Sequence, residues 1–287
     1  MTTVSPTTAP APSARPTLQP ASVAYRKAFV ALLSRDLNVM RKSWLLFAIR
    51  ALVQPVMLMF IFTYVFPKIG QGVGGRGGAE QFTTVLVAGV IGLAIIFQGI
   101  QAVALPLVQE FGYSKEIEDR VLAPLPTKLV GVEKIVSGMV QGLIAATLVF
   151  PIAAVVPATA VHLHINWLIL LTMAPLAGWV SASLGLVLGT RVAPQSVSYL
   201  FALVVLPITF LGAIYYPWGT LTPIKWLKIG VLVNPLVYMT EGFRAALLPA
   251  SFHIEHMNLG FVYGALLLFA VGLTWIGVNG FEKRVVT

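Results

Sequence analysis

LVQEFGYSKEIEDRVLAPLPTKLVG, residues Leu107–Gly131, is the stretch on which the architecture turns. The chain has ten acidic residues. Four of them, Glu110, Glu116, Glu118 and Asp119, fall here, interleaved with Lys115, Arg120 and Lys128. Long apolar runs lie on either side. A charged island between two such runs separates two helices that cannot face water, so it is read as a loop between membrane spans.

The composition supports that reading. Hydrophobic residues make up 57% of the 287 residues and charged residues 10%, with a mean hydropathy of +0.87. A soluble domain carries about 25% charged residues, so this chain cannot clothe itself in a water-facing surface. The net charge of +9 does not indicate nucleic acid, because the basic residues flank apolar runs instead of gathering on one module. There is no cysteine, hence no disulfide framework and no thiol chemistry.

Working outward, an all-α polytopic protein with six spans is expected: about 44–66, 83–105, 135–161, 167–190, 197–216 and 259–280. Residues 1–22, rich in Pro, Thr, Ala and Ser, read as a disordered cytoplasmic tail ahead of a single permease domain, 23–287. Tyr25, Phe29, Leu32, Leu33, Leu37, Met40 and Trp44 recur at steps of three and four, which predicts an amphipathic helix. It suits either an anionic membrane face or the protein's own surface. With a cytoplasmic N-terminus, fourteen of the 19 basic residues lie inside, which sets both termini in the cytoplasm of a plasma (inner) membrane protein. Arg50 lies just within the first span, where snorkelling to the headgroups accounts for it. Residues 217–258 are too interrupted by Pro, Gly and charge for a span and too apolar for a solvated loop. They read as an outer re-entrant or interfacial element, with a helix near Leu236–Leu248 that sets Glu241 and Arg244 one turn apart.

Catalytic chemistry is missing. The glycine-rich GQGVGGRGG (Gly70–Gly78) lacks the Lys and Ser/Thr of a phosphate-binding loop. His162 and His164 have no acidic neighbour in sequence, and His253 and His256 flank Glu255 in an order no zinc protease uses. No metal is expected. The expected spans hold one ionisable residue, Arg50, so neither an ATP site nor a proton relay is legible.

Four features give the chain its resemblance to the membrane subunit of ATP-binding-cassette exporters of the type-2 permease family. The first span reads IRALVQPVMLMFIFTYVF, an Arg…Gln-Pro opening. The second leads directly into a charged segment. That segment ends in RVLAPLPTKLVGVEKIVSGMVQG (Arg120–Gly142). NPLVYMTEGFRAALL (Asn234–Leu248) precedes the last span. The resemblance covers roughly residues 25–287. It implies a transport subunit with no nucleotide site of its own, ATP and Mg being bound by a separate ATPase subunit, and a second permease copy or homologue as partner. It also implies that Gln109–Leu122 docks the ATPase through Glu110, Lys115, Glu116, Glu118, Asp119 and Arg120; from charge alone a solvated loop reads equally well. Second- and fifth-span residues Gln98, Gln101, Tyr199, Phe201, Thr209 and Phe210 would line the substrate pathway, or simply pack between helices. Asn234, Pro235, Glu241 and Arg244 would form an outer gate. The expected cargo is a hydrophobic or amphipathic molecule: drug, lipid, polyketide or glycan. Two other classes stay open, an ion-gradient-driven transporter and a membrane enzyme acting on lipid-linked substrates.

Overall fold

The computed structural model describes residues 21–70, 75–114, 125–196, 201–252, 254 and 256–286. Among them every regular element is helical. In chain order these are α1 (Ala21–Lys42), α2 (Trp44–Phe60, continued by a wider π turn at Ile61–Val65), α3 (Gly75–Gln109, ending in a π turn at Glu110–Ser114), α4 (Thr127–Val155) and α5 (Trp167–Arg191). There follow α6 (Leu206–Phe210, entered through a π turn at Phe201–Val205), α7 (Lys225–Gly230), α8 (Pro235–Leu247) and α9 (Leu259–Val286). The expected tail lies almost wholly outside the described residues.

Five helical stretches are long and apolar enough to cross a bilayer: Trp44–Lys68, Gly78–Gly112, Thr127–Val155, Trp167–Arg191 and Leu259–Val285. The fifth expected span, 197–216, is not among them. Its described part is helical only to Phe210, after which the chain bends through Gly212 and Ala213, whose φ is +52°. The reason is chemical. The carbonyls of Gly212, Ala213 and Ile214 accept hydrogen bonds from Thr240 and Arg244 of α8, so they are not free to close another helical turn. The third span also shifts. It begins eight residues before the expected Ile135 and ends at Val155, which brings Glu133 and Lys134 inside the helix.

α3 is the hub. Leu86–Ala88, Val90, Ile91 and Leu93–Ile96 are all buried, and α2, α4, α5 and α8 pack around the helix. Close approach is achieved with small residues, as membrane helices require when apolar surface alone gives no drive to associate. A Cβ on Gly99 of α3 would stand 2.6 Å from the Ser181 Cβ of α5, and one on Gly185 of α5 would stand 2.9 Å from the Ile100 carbonyl. α9 closes the other side of α5, where Thr274 accepts from the Trp179 indole at 3.0 Å.

α1 packs at one end of the bundle through Ala28, Phe29 and Leu32. The opposite, far end carries the α4–α5 connection and the C-terminus of α8. There His164 N and Asn166 N donate to the carbonyls of Leu247 and Ala246 at 2.9 and 2.8 Å, satisfying the last turn of α8. The Asn166 side chain then caps α5 by accepting from Ile169 N.

Gly99→Ala is expected to destabilise the detergent-solubilised protein by about 1–3 kcal/mol, because the Ser181 backbone cannot yield. Gly264→Ala, with nothing within 4 Å of its added methyl, is expected to be neutral. Thermal unfolding followed by size-exclusion chromatography compares the two.

Candidate functional site

Three polar constructions interrupt the apolar bundle. The first is built on α8. Asn234 caps this helix by accepting from Leu236 N at 3.0 Å, and Pro235 occupies its first turn, where a missing N–H costs nothing. The Asn234 amide also donates to the Ile208 carbonyl at 2.7 Å, tying α8 to α6. Met239 of α8 lies beside Ser181 of α5 (3.9 Å), and Gly242 lies against Met173. Ser181 is fourteen residues into α5, about 21 Å from the far end at 1.5 Å per residue. α8 therefore starts near the middle of the bundle and runs out to the far end.

Within α8 the Glu241 and Arg244 side chains are fully buried and bonded at 2.9 Å. Each also serves a neighbouring segment. Glu241 Oε1 accepts from Trp218 N at 2.8 Å and Oε2 from Met257 N at 3.2 Å. Arg244 Nη2 donates to the Ala213 carbonyl and, at 2.9 Å, to that of Ile214. One ion pair thus holds the end of the α6 segment, the loop before α7 and the entry to α9. Desolvating two charges is costly, and it is sustained here because nearly every hydrogen-bonding position is filled.

His256 stands beside this pair. Burial holds its imidazole below the ordinary value of 6.5, while Glu241 pulls it up and Arg244 pushes it down. At the same end, burial raises the phenols of Tyr215 and Tyr216 above their usual value.

The second construction lies at the α1 end. The Lys134 ammonium donates to Asp36 of α1 at 3.1 Å and to Glu110 at the end of α3 at 3.0 Å. Lys134 is 3% exposed, so this is an interior clamp between α1, α3 and α4. The Glu110 side chain, expected on a docking surface, is buried and turned towards Lys134. Lys115, Glu116, Glu118, Asp119 and Arg120 lie outside the described residues.

The third is a cleft of about 730 Å³ between α1, α2, α3 and α4. Arg35, Arg50, Gln98, Gln101 and Gln141 line it together with the Lys134 clamp. Gln98 and Gln101, expected with fifth-span residues along a substrate pathway, lie in this cleft. Thr209 is buried, with its hydroxyl donating to the Leu206 carbonyl, and Phe210 is exposed; neither borders the cleft. Tyr199 and the side chain of Phe201 lie outside the described residues. Sequence reasoning missed Asp36, Lys134 and Gln141. Lys134 had been placed in the loop after the charged island, and only the earlier start of α4 turns it inward.

Among the described residues no group of three or more His, Asp or Glu side chains could hold a metal ion. His162 instead meets Glu80 at 3.3 Å on the surface.

The described residues thus form a bundle of apolar helices with a buried ion pair towards one end and an ion clamp at the other. The ABC-2 type transporter family matches residues 27–248, and the chain belongs to that family as a membrane permease subunit. The inner membrane transport permease YadH of Escherichia coli K12 is 27% identical over 251 residues, covering 86% of this chain and 91% of the relative. Proteins of the same name from Escherichia coli O157:H7 and Shigella flexneri align to the same extent.

Glu241→Ala is expected to cost about 3–5 kcal/mol, since it strands the buried Arg244 charge. Arg244→Lys is expected to destabilise as well, because one ammonium cannot reproduce a guanidinium shared between a carboxylate and two carbonyls. Folded yield and thermal midpoint measure both. The depressed His256 group predicts a further effect. On acidification from 6.5 the unfolded state takes up its proton first, so stability falls towards the folded value and is unaffected well above 6.5. Between pH 7.5 and 5.5 the wild type should therefore lose more thermal stability than His256→Gln.

Proposed function

We propose that the chain is one of two permease subunits of an ATP-driven exporter, moving a hydrophobic or amphipathic substrate across the plasma membrane by alternating access. The charged segment after α3 is the docking site for a separate ATPase subunit, which binds the ATP and Mg. Both termini and the α1 end are then cytoplasmic, and α8 is a re-entrant helix that returns from mid-membrane to the outer face, where Glu241 and Arg244 brace the exit.

The observation that carries this reading is how α3 ends. The most buried helix of the bundle is held at Glu110 by Lys134 to α1 and α4, and the charged stretch 115–124 follows within one π turn. A partner that displaces that stretch pulls directly on the hub. Interleaved charges there favour register and specificity over raw affinity. ATP binding moves the permease only if substrate and ATPase each favour one of its two states.

Glu241 speaks against an ion-driven cycle. Three donors already occupy its carboxylate, so it serves as a brace between segments and offers no open coordination position to a transported ion.

Purification in mild detergent from a native-level source is expected to recover a stoichiometric soluble ATPase. Replacing Glu118, Asp119 and Arg120 together by alanine is expected to release it while leaving the permease folded. Retention of the ATPase by the triple variant would move the dock elsewhere, and its absence from the wild type in several detergents would remove the exporter reading.

A further inference from the structure

The cleft at the α1 end is built for a ligand of definite chemistry. We infer that it binds the phosphate headgroup of an amphiphile drawn from the cytoplasmic leaflet, with the acyl portion lying along the exposed face of α2. This deepens the exporter reading by naming a substrate class, and it rests on that reading only for the statement that the bound amphiphile is cargo.

Charge is the first argument. Three cationic side chains, Arg35, Arg50 and Lys134, line the cleft against two anionic ones, Asp36 and Glu110. Both carboxylates are bonded to Lys134. Arg50 has no ion-pair partner among the described residues. It sits six residues into α2, about 9 Å from Trp44 along the helix, within snorkelling reach of the headgroup layer, where an anionic headgroup can meet it. A phosphate offers two oxygens to its planar fork, a bidentate match.

Gln98 supplies an independent argument. Its side chain is 3% exposed and lines the cleft, yet its Oε1 accepts no hydrogen bond. A buried acceptor left without a donor is unfavourable, and an occupant that carries a donor relieves it. Phosphate alone, fully ionised, has none. A hydroxyl or ammonium beside the phosphate has, as in a phosphoglycerol or phosphoethanolamine headgroup.

The apolar continuation is the third. Leu46 lines the cleft and is 57% exposed. From it Ile49, Val53 and Met57 continue at helical spacing along α2, all exposed. The polar cleft therefore opens onto a greasy stripe of the same helix, the arrangement an amphiphile needs and a soluble metabolite does not. A volume near 730 Å³ lies within the range of ligand sites, about 300–1,000 Å³.

The test uses the full-length protein in detergent, with retained lipid counted by native mass spectrometry after exchange into phosphatidylglycerol or phosphatidylcholine. Wild type should retain phosphatidylglycerol preferentially. Arg50→Gln should lower that retention about tenfold. Gln98→Leu should abolish the preference over phosphatidylcholine, which carries no donor, while leaving residual binding. Lys228→Gln, far from the cleft, serves as the folded control. Equal retention by wild type, Arg50→Gln and Gln98→Leu would overturn the proposal, as would phosphatidylcholine binding as well as phosphatidylglycerol. Soluble glycerol 3-phosphate distinguishes the source. If it is captured where lipid is not, the membrane origin is wrong. Co-purified ATPase is measured on the same samples. Its loss with lipid retention intact counts against the exporter alone, whereas intact ATPase with no headgroup selectivity counts against the site alone.

Discussion

The Glu241–Arg244 pair sets the geometry of the far half of the molecule. A guanidinium placed among apolar helices must find acceptors, and α8 cannot supply them because its own carbonyls are used in helical bonds. The Ala213 and Ile214 carbonyls meet that demand, and they are free only because the chain leaves helical geometry after Phe210. The break in the helix and the burial of the charge are thus two sides of one requirement. Gly89 lets the loosened strand approach α3, since a methyl there would collide with the Ile214 carbonyl. The Ala213 residue accepts a left-handed backbone as the local cost.

The α1 end solves a different problem with the same currency. Lys134 draws together two carboxylates from separate elements, one on α1 and one at the tip of α3. Single removal of a partner would leave a buried charge, so the three elements move together or not at all. α3 spans both constructions, touching Ile214 through Gly89 and reaching Lys134 through Glu110. It is a rigid, small-residue-packed rod between a charged clamp at one end and a charged brace at the other. That is the physical continuity along which a displacement at one end can reach the other.

Much of this was legible in the sequence. The apolar runs, the charged island, the Asn-Pro start of α8 and the one-turn spacing of Glu241 and Arg244 each follow from local chemistry. The helical ends were less legible, because they are decided by distant partners. Nothing within residues 197–216 says that three carbonyls are owed to α8, so a continuous span was expected there. Likewise Lys134 looks like a loop residue until Asp36, 98 positions earlier, is seen to meet it. Gln98 and Gln101 were read as polar positions on the second span, which is correct, but the side they face depends on how α1 folds back over α2 and α4.

The distribution of buried charge also bears on where the energy for transport enters. Ion-driven transporters keep a carboxylate that can gain and lose a proton while facing each side in turn. Here Glu110 and Asp36 are held on Lys134, and Glu241 is held by Arg244 and two backbone amides. Removing any one of these partners strands a charge in a poorly solvated interior. Charges committed to bracing can transmit a displacement but cannot originate one. In the proposed exporter the work would then enter through a surface, and the charged residues that follow Glu110 are the segment proposed for it.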